Sequence, residues 1–143
     1  MKIVFKPGKY FIGDISYVMH NDWSEFCSDH YESDGMLSTL SDGRQFWFHG
    51  TYFGDGYYLD NNGREYPVDA GILGIININD IKLTEHDDIT LGNEVDFSEP
   101  FAVSYDSKTG IFYFGHITIE TDDSGRDEYE EEDDEDGHVS DCD

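Results

Sequence analysis

The sequence predicts a mainly β protein, either an antiparallel β-sandwich or a strongly bent, partly closed sheet, with one short α-helix at about residues 21–31. Two observations predict this fold class. Short apolar segments recur along residues 1–120 and are separated by turns rich in Gly, Asn and Asp. Several of these turns are of the kind that joins neighbouring antiparallel strands, and only one segment has helical periodicity.

A hairpin and a buried strand are predicted near the middle of the chain. Segments 57–59 and 64–68 flank Asp60-Asn61-Asn62-Gly63, in which Asn-Gly favours a turn with positive φ at both central residues. The following segment, Ile72-Leu73-Gly74-Ile75-Ile76, is too short and too β-branched to favour a helix. We expect it to form a strand that is covered on both faces.

The other strands are predicted from similar patterns. Residues 9–18 are expected to form a strand with a bulge at Gly13-Asp14, and residues 44–53 form the most aromatic strand. Residues 101–105 and 111–120 are expected to form a hairpin whose loop ends in a left-handed Gly110. Residues 79–93 are predicted to form a loop. The core-facing side chains of the last arm are expected to be Ile111, Tyr113, Ile117 and Ile119.

The helix is predicted from a capping residue and an apolar face. Asn21 is a suitable N-cap, and Asp22 places a negative charge in the first turn. Trp23, Phe26 and Cys27 then follow with helical spacing. The segment is therefore expected to lie across a sheet.

The charge of the chain is strongly negative and divides between two regions. The net charge is −25, and residues 121–143 hold 13 acidic residues against one Arg. The remaining 20 acidic and seven basic residues leave the rest of the chain acidic as well. We expect residues 1–120 to form a compact β domain, and residues 121–143, which have little apolar surface, to form a disordered acidic tail.

Charge and hydropathy restrict the partners and the location. A surface of this charge opposes direct binding to nucleic acid or to an anionic membrane, and it favours a basic protein partner. The chain has no apolar segment approaching the roughly 18 residues of a membrane span, and its first residues lack a signal-peptide core. With two cysteines far apart, a disulfide-stapled fold is not indicated. We expect a cytoplasmic protein.

Three carboxylates next to glycines are the candidates for chemistry. Asp14, Asp55 and Asp69 could hold a hard cation or form an acid–base pair if they converged. Asp also commonly accepts backbone hydrogen bonds in turns, and this simpler explanation is favoured. The sequence has no phosphate-binding loop, nucleophile elbow, dinucleotide fingerprint or paired metal-binding histidines. We predict no catalytic residue, metal or cofactor.

Three segments together resemble a known family. They are GKYFIGDISYVM, YFGDGYYLDNNGREYPVDAGILGI and GIFYFGHITIET. Their order and spacing are similar to those of small, mostly uncharacterised proteins encoded by bacteriophages and related bacteria, over roughly residues 8–120. Where that family commonly has Asp-Pro-Cys, this chain has Asp14-Ile15-Ser16. The resemblance implies a phage setting, and hence the host cytoplasm, but no settled activity.

The leading hypothesis is an acidic, non-enzymatic binding protein. Its carboxylates would imitate the phosphates of a nucleic acid and block a basic host protein such as a defence nuclease. The alternatives are a metal-assisted hydrolase that uses Asp14, Asp55 and Asp69, and a structural or assembly protein with a solubilising tail. The predicted partner-binding residues are Asp55, Asp60 and Asp69 on the body and Glu130, Glu131, Glu132, Asp133, Asp134, Glu135 and Asp136 in the tail.

Overall fold

The computed structural model describes residues 3–32 and 34–121, and these residues form a mainly β, antiparallel structure. Three sheets are present in this part of the chain. They have the strand orders β3-β4-β7-β2-β8, β1-β9-β10-β11 and β5-β6. The strands are β1 (Ile3–Phe5), β2 (Gly8–Gly13), β3 (Ser38–Thr39), β4 (Gln45–Gly50), β5 (Gly56–Leu59), β6 (Glu65–Val68), β7 (Ile72–Asn77), β8 (Gly92–Phe97), β9 (Phe101–Asp106), β10 (Ile111–Phe114) and β11 (Ile117–Glu120).

The five-stranded sheet forms the middle layer, with β7 at its centre. Ile75 of β7 is paired with Ile12 of β2 on one side and with Trp47 of β4 on the other. Five of the six residues of β7 are buried, which confirms the prediction of a strand covered on both faces. Alternate side chains of this sheet therefore enter two separate cores.

One core lies between the five-stranded sheet and the two smaller sheets. Trp47 of β4 contacts Phe112 and Phe114 of β10 edge to face, with ring centroids 6.1 and 5.8 Å apart. The hairpin β5–β6 closes the same core with Tyr58 and Tyr66, both fully buried. The two smaller sheets thus share a core with one face of the five-stranded sheet, and the mainly β, antiparallel fold expected from the sequence is confirmed.

The second core lies on the opposite face of the five-stranded sheet, under the helical segments. Residues 20–30 form a 3-10 turn (His20–Asp22), an α-helical turn (Trp23–Glu25) and a π-helical turn (Phe26–His30). The ring of Phe26 packs between Trp23, at 4.4 Å, and Phe48 of β4, at 4.8 Å. The predicted helical segment is therefore confirmed in position and in the face that it buries. Only Trp23–Glu25 is α-helical, however, and the expected N-cap Asn21 lies in the 3-10 turn instead. Short 3-10 helices also occur at Ile15–Tyr17, Ile78–Asp80 and Ile89–Leu91.

Two predicted strands have different limits in the structure. The strand expected over residues 9–18 ends at Gly13, because Asp14 caps a 3-10 helix with its own carboxylate. The arm expected over residues 111–120 reverses at Gly115, whose φ is +62°, and becomes the hairpin β10–β11.

The reversal at Gly115 changes which side chains of β10 face the core. It pairs Phe114 with Ile117 on one face of the sheet. Phe112 and Phe114 are fully buried, whereas Tyr113 is 36% exposed and Ile111 is only partly buried. The inward orientation predicted for Ile111 and Tyr113 is therefore wrong, and the one predicted for Ile117 and Ile119 is confirmed.

The sequence analysis missed strand β8. Gly92–Phe97 pairs with β2 along its whole length, from Gly13 opposite Gly92 to Gly8 opposite Phe97. Val95 and Phe97 are buried, while Glu94 and Asp96 are exposed. This alternation is typical of an edge strand with one covered face.

The turn of the central hairpin is held by a side chain. Gly63 has a φ of +83°, and no residue other than glycine among those described has a positive φ, so the predicted positive φ at Asn62 is wrong. Oδ1 of Asp60 instead accepts hydrogen bonds from the backbone N–H groups of Asn62 and Arg64, at 2.8 and 2.9 Å. The Asp60 carboxylate thus closes the turn.

The last strand ends at Glu120, and hydrogen bonds hold the next residue, Thr121, against the body of the protein. Thr121 is buried, its hydroxyl donates a hydrogen bond to the carbonyl of Gly110 at 2.6 Å, and its carbonyl accepts one from Phe53 N–H. The predicted acidic tail lies outside the described residues from residue 122 onward. Within residues 3–32 and 34–121, no helix is long and apolar enough to cross a membrane.

Candidate functional site

A buried carboxylate organises one corner of the molecule. Oδ1 of Asp14 accepts hydrogen bonds from the backbone N–H and the hydroxyl of Ser16, at 2.9 and 2.7 Å. Oδ2 accepts two more, from the backbone N–H groups of Asp69 and Ala70, both at 2.7 Å. Asp14 therefore joins the end of β2 to the connection between β6 and β7.

The surroundings of Asp14 indicate a structural role. Its side chain is fully buried, and burial raises the pKa of the carboxyl group, while the hydrogen bonds from Ala70, Ser16 and Asp69 act to lower it. Four donors occupy its two oxygens, so Asp14 does not offer a free oxygen to a metal ion or to a substrate.

Asp55 and Asp69, which the sequence analysis grouped with Asp14, come to the same corner but face outward. Both are exposed. Burial raises the pKa of the Tyr17 hydroxyl, and the negative charges of Asp14, Asp69 and Asp55 raise it further. The charges of all three carboxylates therefore act on one phenol, and Asp55 and Asp69 are the two that are exposed.

A pocket opens beside this corner, between the end of the helical segment, the end of β4 and the start of β7. Its volume is about 480 Å³. The buried residues Phe48 and Ile72 form its apolar floor, and the exposed residues Glu32, Asp34 and Asp55 bring carboxylates to its edge. We call it the acidic pocket; its lining residues are Tyr31, Glu32, Asp34, Phe48, Gly50, Asp55, Ala70, Gly71 and Ile72.

Exposed aromatic rings accompany these carboxylates. Tyr31, which lines the pocket, is 47% exposed, and Tyr57 near Asp55 and Asp69 is also 47% exposed. Such rings present a large contact area and a negative face, and they are common in protein interfaces.

A second aromatic group adjoins the pocket on the side of Asp34. Oδ2 of Asp34 lies 3.7 Å from Nδ1 of His49, and the His49 ring stacks on Tyr105 with centroids 4.0 Å apart. Burial raises the pKa of the Tyr105 hydroxyl, and nearby Tyr52, Asp106 and Asp34 raise it further. Tyr52 is 58% exposed. Aromatic rings therefore lie beside Asp34 as well as in the lining of the pocket.

Four of the six arginines and lysines of the described residues make ion pairs, and these pairs lie outside the acidic pocket. Arg44 contacts Asp22 and Asp42 at 2.8 and 2.9 Å, and Lys82 also contacts Asp42. Lys9 pairs with Glu94, and Arg64 lies 3.6 Å from Asp60. None of the described residues that line the acidic pocket is an arginine or a lysine.

Asp60, the third body carboxylate that was expected to contact a partner, is buried. Its side chain has no exposed surface, and Oδ2 accepts a hydrogen bond from the Tyr66 hydroxyl at 2.7 Å. Burial and the Asp60 carboxylate together raise the pKa of the Tyr66 hydroxyl. Asp60 therefore stabilises the hairpin and does not present its charge to a partner.

The predicted tail residues Glu130, Glu131, Glu132, Asp133, Asp134, Glu135 and Asp136 lie outside the described residues. Their role in binding stays a prediction.

One group of possible metal ligands was missed by sequence reasoning. Ligand atoms of Glu25, Asp29 and His30 all lie within 4.8 Å of one another on the helical segment. The Glu25 carboxylate already accepts hydrogen bonds from Ser41, through the backbone N–H at 2.7 Å and the hydroxyl at 3.0 Å. The spacing of the three residues along a helix could have suggested the group, but the contact with Ser41 could not be foreseen.

Sequence reasoning also missed Tyr31, Glu32 and Asp34. They follow the helix in an acidic, aromatic segment, but nothing in the sequence places that segment beside the end of β4 and the start of β7.

Comparison of the chain with protein-family models, curated proteins and solved structures finds no match. The resemblance to phage-encoded proteins therefore stays a prediction.

Proposed function

We propose that the protein is an acidic, non-enzymatic binding protein that occupies the basic, nucleic-acid-binding surface of a host protein. The observation that carries this proposal is the grouping of exposed carboxylates and aromatic rings around one pocket. In the phage setting that the resemblance implies, the partner would be a host protein such as a defence nuclease, and the acidic protein would act as its inhibitor.

Electrostatics supports a basic partner. A net charge of −25 far exceeds the magnitude of about 2 to 8 that keeps a small domain soluble. The pocket adds a defined site to this general attraction, since Asp34, which follows the helical segment, and Asp55, which precedes β5, both line it. Long-range attraction would speed the encounter, and the pocket would fix the orientation of the complex.

The hydrolase alternative finds less support. It requires Asp14, Asp55 and Asp69 to offer oxygens to one metal ion, whereas the oxygens of Asp14 accept four hydrogen bonds inside the protein. An assembly role for the chain remains compatible with the fold, but no contact of the described residues favours it over binding to a basic protein.

Affinity capture from a bacterial lysate tests the proposal. The full chain is immobilised and challenged at low and at high ionic strength, with and without an excess of duplex DNA. We expect basic nucleic-acid-binding proteins to be retained at low ionic strength and to be released both by salt and by DNA. Retention that resists both treatments, or capture of acidic proteins only, would refute the proposal.

A further inference from the structure

We infer that the acidic pocket receives an arginine side chain of the partner and prefers arginine to lysine. This inference rests on the proposed function, because it names the group that a basic partner inserts.

The size and lining of the pocket fit a long side chain with a charged end. Its volume of about 480 Å³ lies within the range of roughly 300 to 1,000 Å³ that is common for small-molecule sites. The apolar floor formed by Phe48, Ala70 and Ile72 can cover the methylene groups of the side chain, while the carboxylates at the edge face the cation.

The spacing of the carboxylates favours an extended cation over a metal ion. A compact ion needs at least three ligand atoms close together. Among the described residues that condition is met by Glu25, Asp29 and His30, and not by the pocket carboxylates. A guanidinium group is planar and carries five donors that point in different directions, so it can approach carboxylates of different segments, such as Asp34 beside Gly50 and Asp55 beside Gly71.

The aromatic ring at the pocket favours arginine over lysine. Tyr31 is 47% exposed and lines the same cavity as Glu32, Asp34 and Asp55. A guanidinium stacks on an aromatic face and is weakly hydrated, whereas an ammonium is a compact and strongly hydrated charge.

The protein already holds one of its own guanidinium groups in a similar way. In Arg44, Nε lies 2.9 and 3.0 Å from the two carboxylate oxygens of Asp42, and one terminal nitrogen lies 2.8 Å from Asp22. The other terminal nitrogen donates to the carbonyl of Asp80 at 3.0 Å. Two carboxylates and a backbone carbonyl from different segments therefore bind a guanidinium in this fold.

The inference can be tested with short blocked peptides and the full chain. The probes are acetylated, amidated Gly-Arg-Gly and the corresponding peptides with lysine and with citrulline, which is the neutral analogue of arginine. Binding is followed by ¹H–¹⁵N NMR at the backbone amides of Gly50, Gly71 and Ile72, which line the pocket. We expect saturable shifts at these amides with the arginine peptide, about fivefold weaker binding of the lysine peptide, and no saturable shift with citrulline.

Single-charge variants locate the binding. Asp34→Asn and Asp55→Asn should each weaken binding of the arginine peptide about tenfold. Asp96→Asn removes the same charge from an exposed position on β8, at the far edge of the five-stranded sheet, and should change binding less than about twofold. Dispersed spectra establish that each variant is folded.

Equal binding of arginine and lysine peptides, or equal weakening by Asp96→Asn, would overturn the inference. If the pocket variants bind the arginine peptide like the wild type while a captured basic protein is still released by salt and DNA, the arginine site is wrong and the proposed function stands. If no basic protein is captured but the peptide binds in the pocket, the proposed function fails and the arginine site remains.

Discussion

Oδ2 of Asp14 lies 2.7 Å from the backbone nitrogen of Asp69, so the residue that follows β2 holds the connection that leads into β7. A second hydrogen bond, from Ala70 N–H, doubles this link. The same connection forms one wall of the acidic pocket through Ala70 and Gly71. The buried carboxylate therefore positions the pocket without taking part in it.

Replacement of Asp14 should destabilise the fold. In the wild type, both oxygens of Asp14 accept hydrogen bonds. In Asp14→Asn, an NH₂ group replaces one of these oxygens and faces donors that have lost their acceptor. We expect a loss of about 2 to 4 kcal/mol in the free energy of unfolding, measured by urea denaturation. The control is Asp69→Asn, whose side chain is exposed and which should change stability by less than about 0.5 kcal/mol. Equal effects of the two variants would disprove the structural role of Asp14.

The hydrogen bond from Tyr66 to Asp60 should make the free energy of unfolding decrease at alkaline pH. Burial and the Asp60 carboxylate raise the pKa of Tyr66 in the folded state above its unfolded value of about 10. The folded state therefore keeps a proton that the unfolded state releases, and this contribution to stability is present below pH ~10 and is lost as the pH rises further.

Tyr66→Phe tests this linkage. The variant should be less stable than the wild type by about 1.5 to 3 kcal/mol at neutral pH, because a buried carboxylate loses its donor. The difference should shrink as the pH rises above about 10. Tyr113→Phe, on the outer face of the sheet, should match the wild type throughout. A difference between Tyr66→Phe and the wild type that is constant with pH would contradict the prediction.

Gly74 should be required by the packing around the centre of the five-stranded sheet. A Cβ atom at this position would lie 2.5 Å from the carbonyl oxygen of Trp47 and 2.9 Å from Cβ of Phe48. Gly74→Ala should therefore cost about 1 to 3 kcal/mol or more. At Gly50, at the end of the neighbouring strand, a Cβ atom would meet nothing closer than 3.8 Å, and Gly50→Ala should be tolerated. Thermal denaturation of both variants checks this, and similar midpoints would be evidence against the close contact.

Removal of residues 122–143 should preserve the fold and slow association. Thr121 keeps its hydrogen bonds to Gly110 and Phe53 in a chain that ends there, so the thermal midpoint should be nearly unchanged. Both chains are compared under reducing conditions, because Cys27 is disulfide-bonded and the deletion removes the only other cysteine. The deletion removes a net charge of −12, since the segment holds 13 acidic residues and one Arg. The association rate with a captured basic protein should fall and become less sensitive to salt, as measured by stopped-flow mixing. An unchanged rate would mean that the tail does not contribute to the encounter.

Local patterns were sufficient for most of the strands and for the helical segment, although not for β8, whereas contacts between distant segments were not predictable. The β-branched residues of β7 and the apolar spacing of Trp23 and Phe26 correctly indicated a buried strand and a helix that covers the sheet. The inward orientation of β10 was missed because it depends on the reversal at Gly115, and a glycine within an apolar segment does not specify a turn by itself.

The candidate site could be predicted only in part from the sequence. Asp14, Asp55 and Asp69 were singled out by their glycine neighbours, and they do come to one corner of the molecule. Their different burial could not be inferred, since it depends on which backbone N–H groups meet each carboxylate. Asp34 could not be singled out from the sequence. Its segment meets residues 50–55 and 70–72 only in the tertiary fold, where all three segments line the pocket.

The affinity for a captured basic protein, measured over a range of salt concentrations with and without duplex DNA, tests the central claim most directly. The account predicts that the dissociation constant rises steeply with salt, that DNA competes for the same surface, and that Asp34→Asn and Asp55→Asn weaken the complex while Asp96→Asn does not. A dissociation constant that is independent of salt, or a stable ternary complex with DNA, would contradict it.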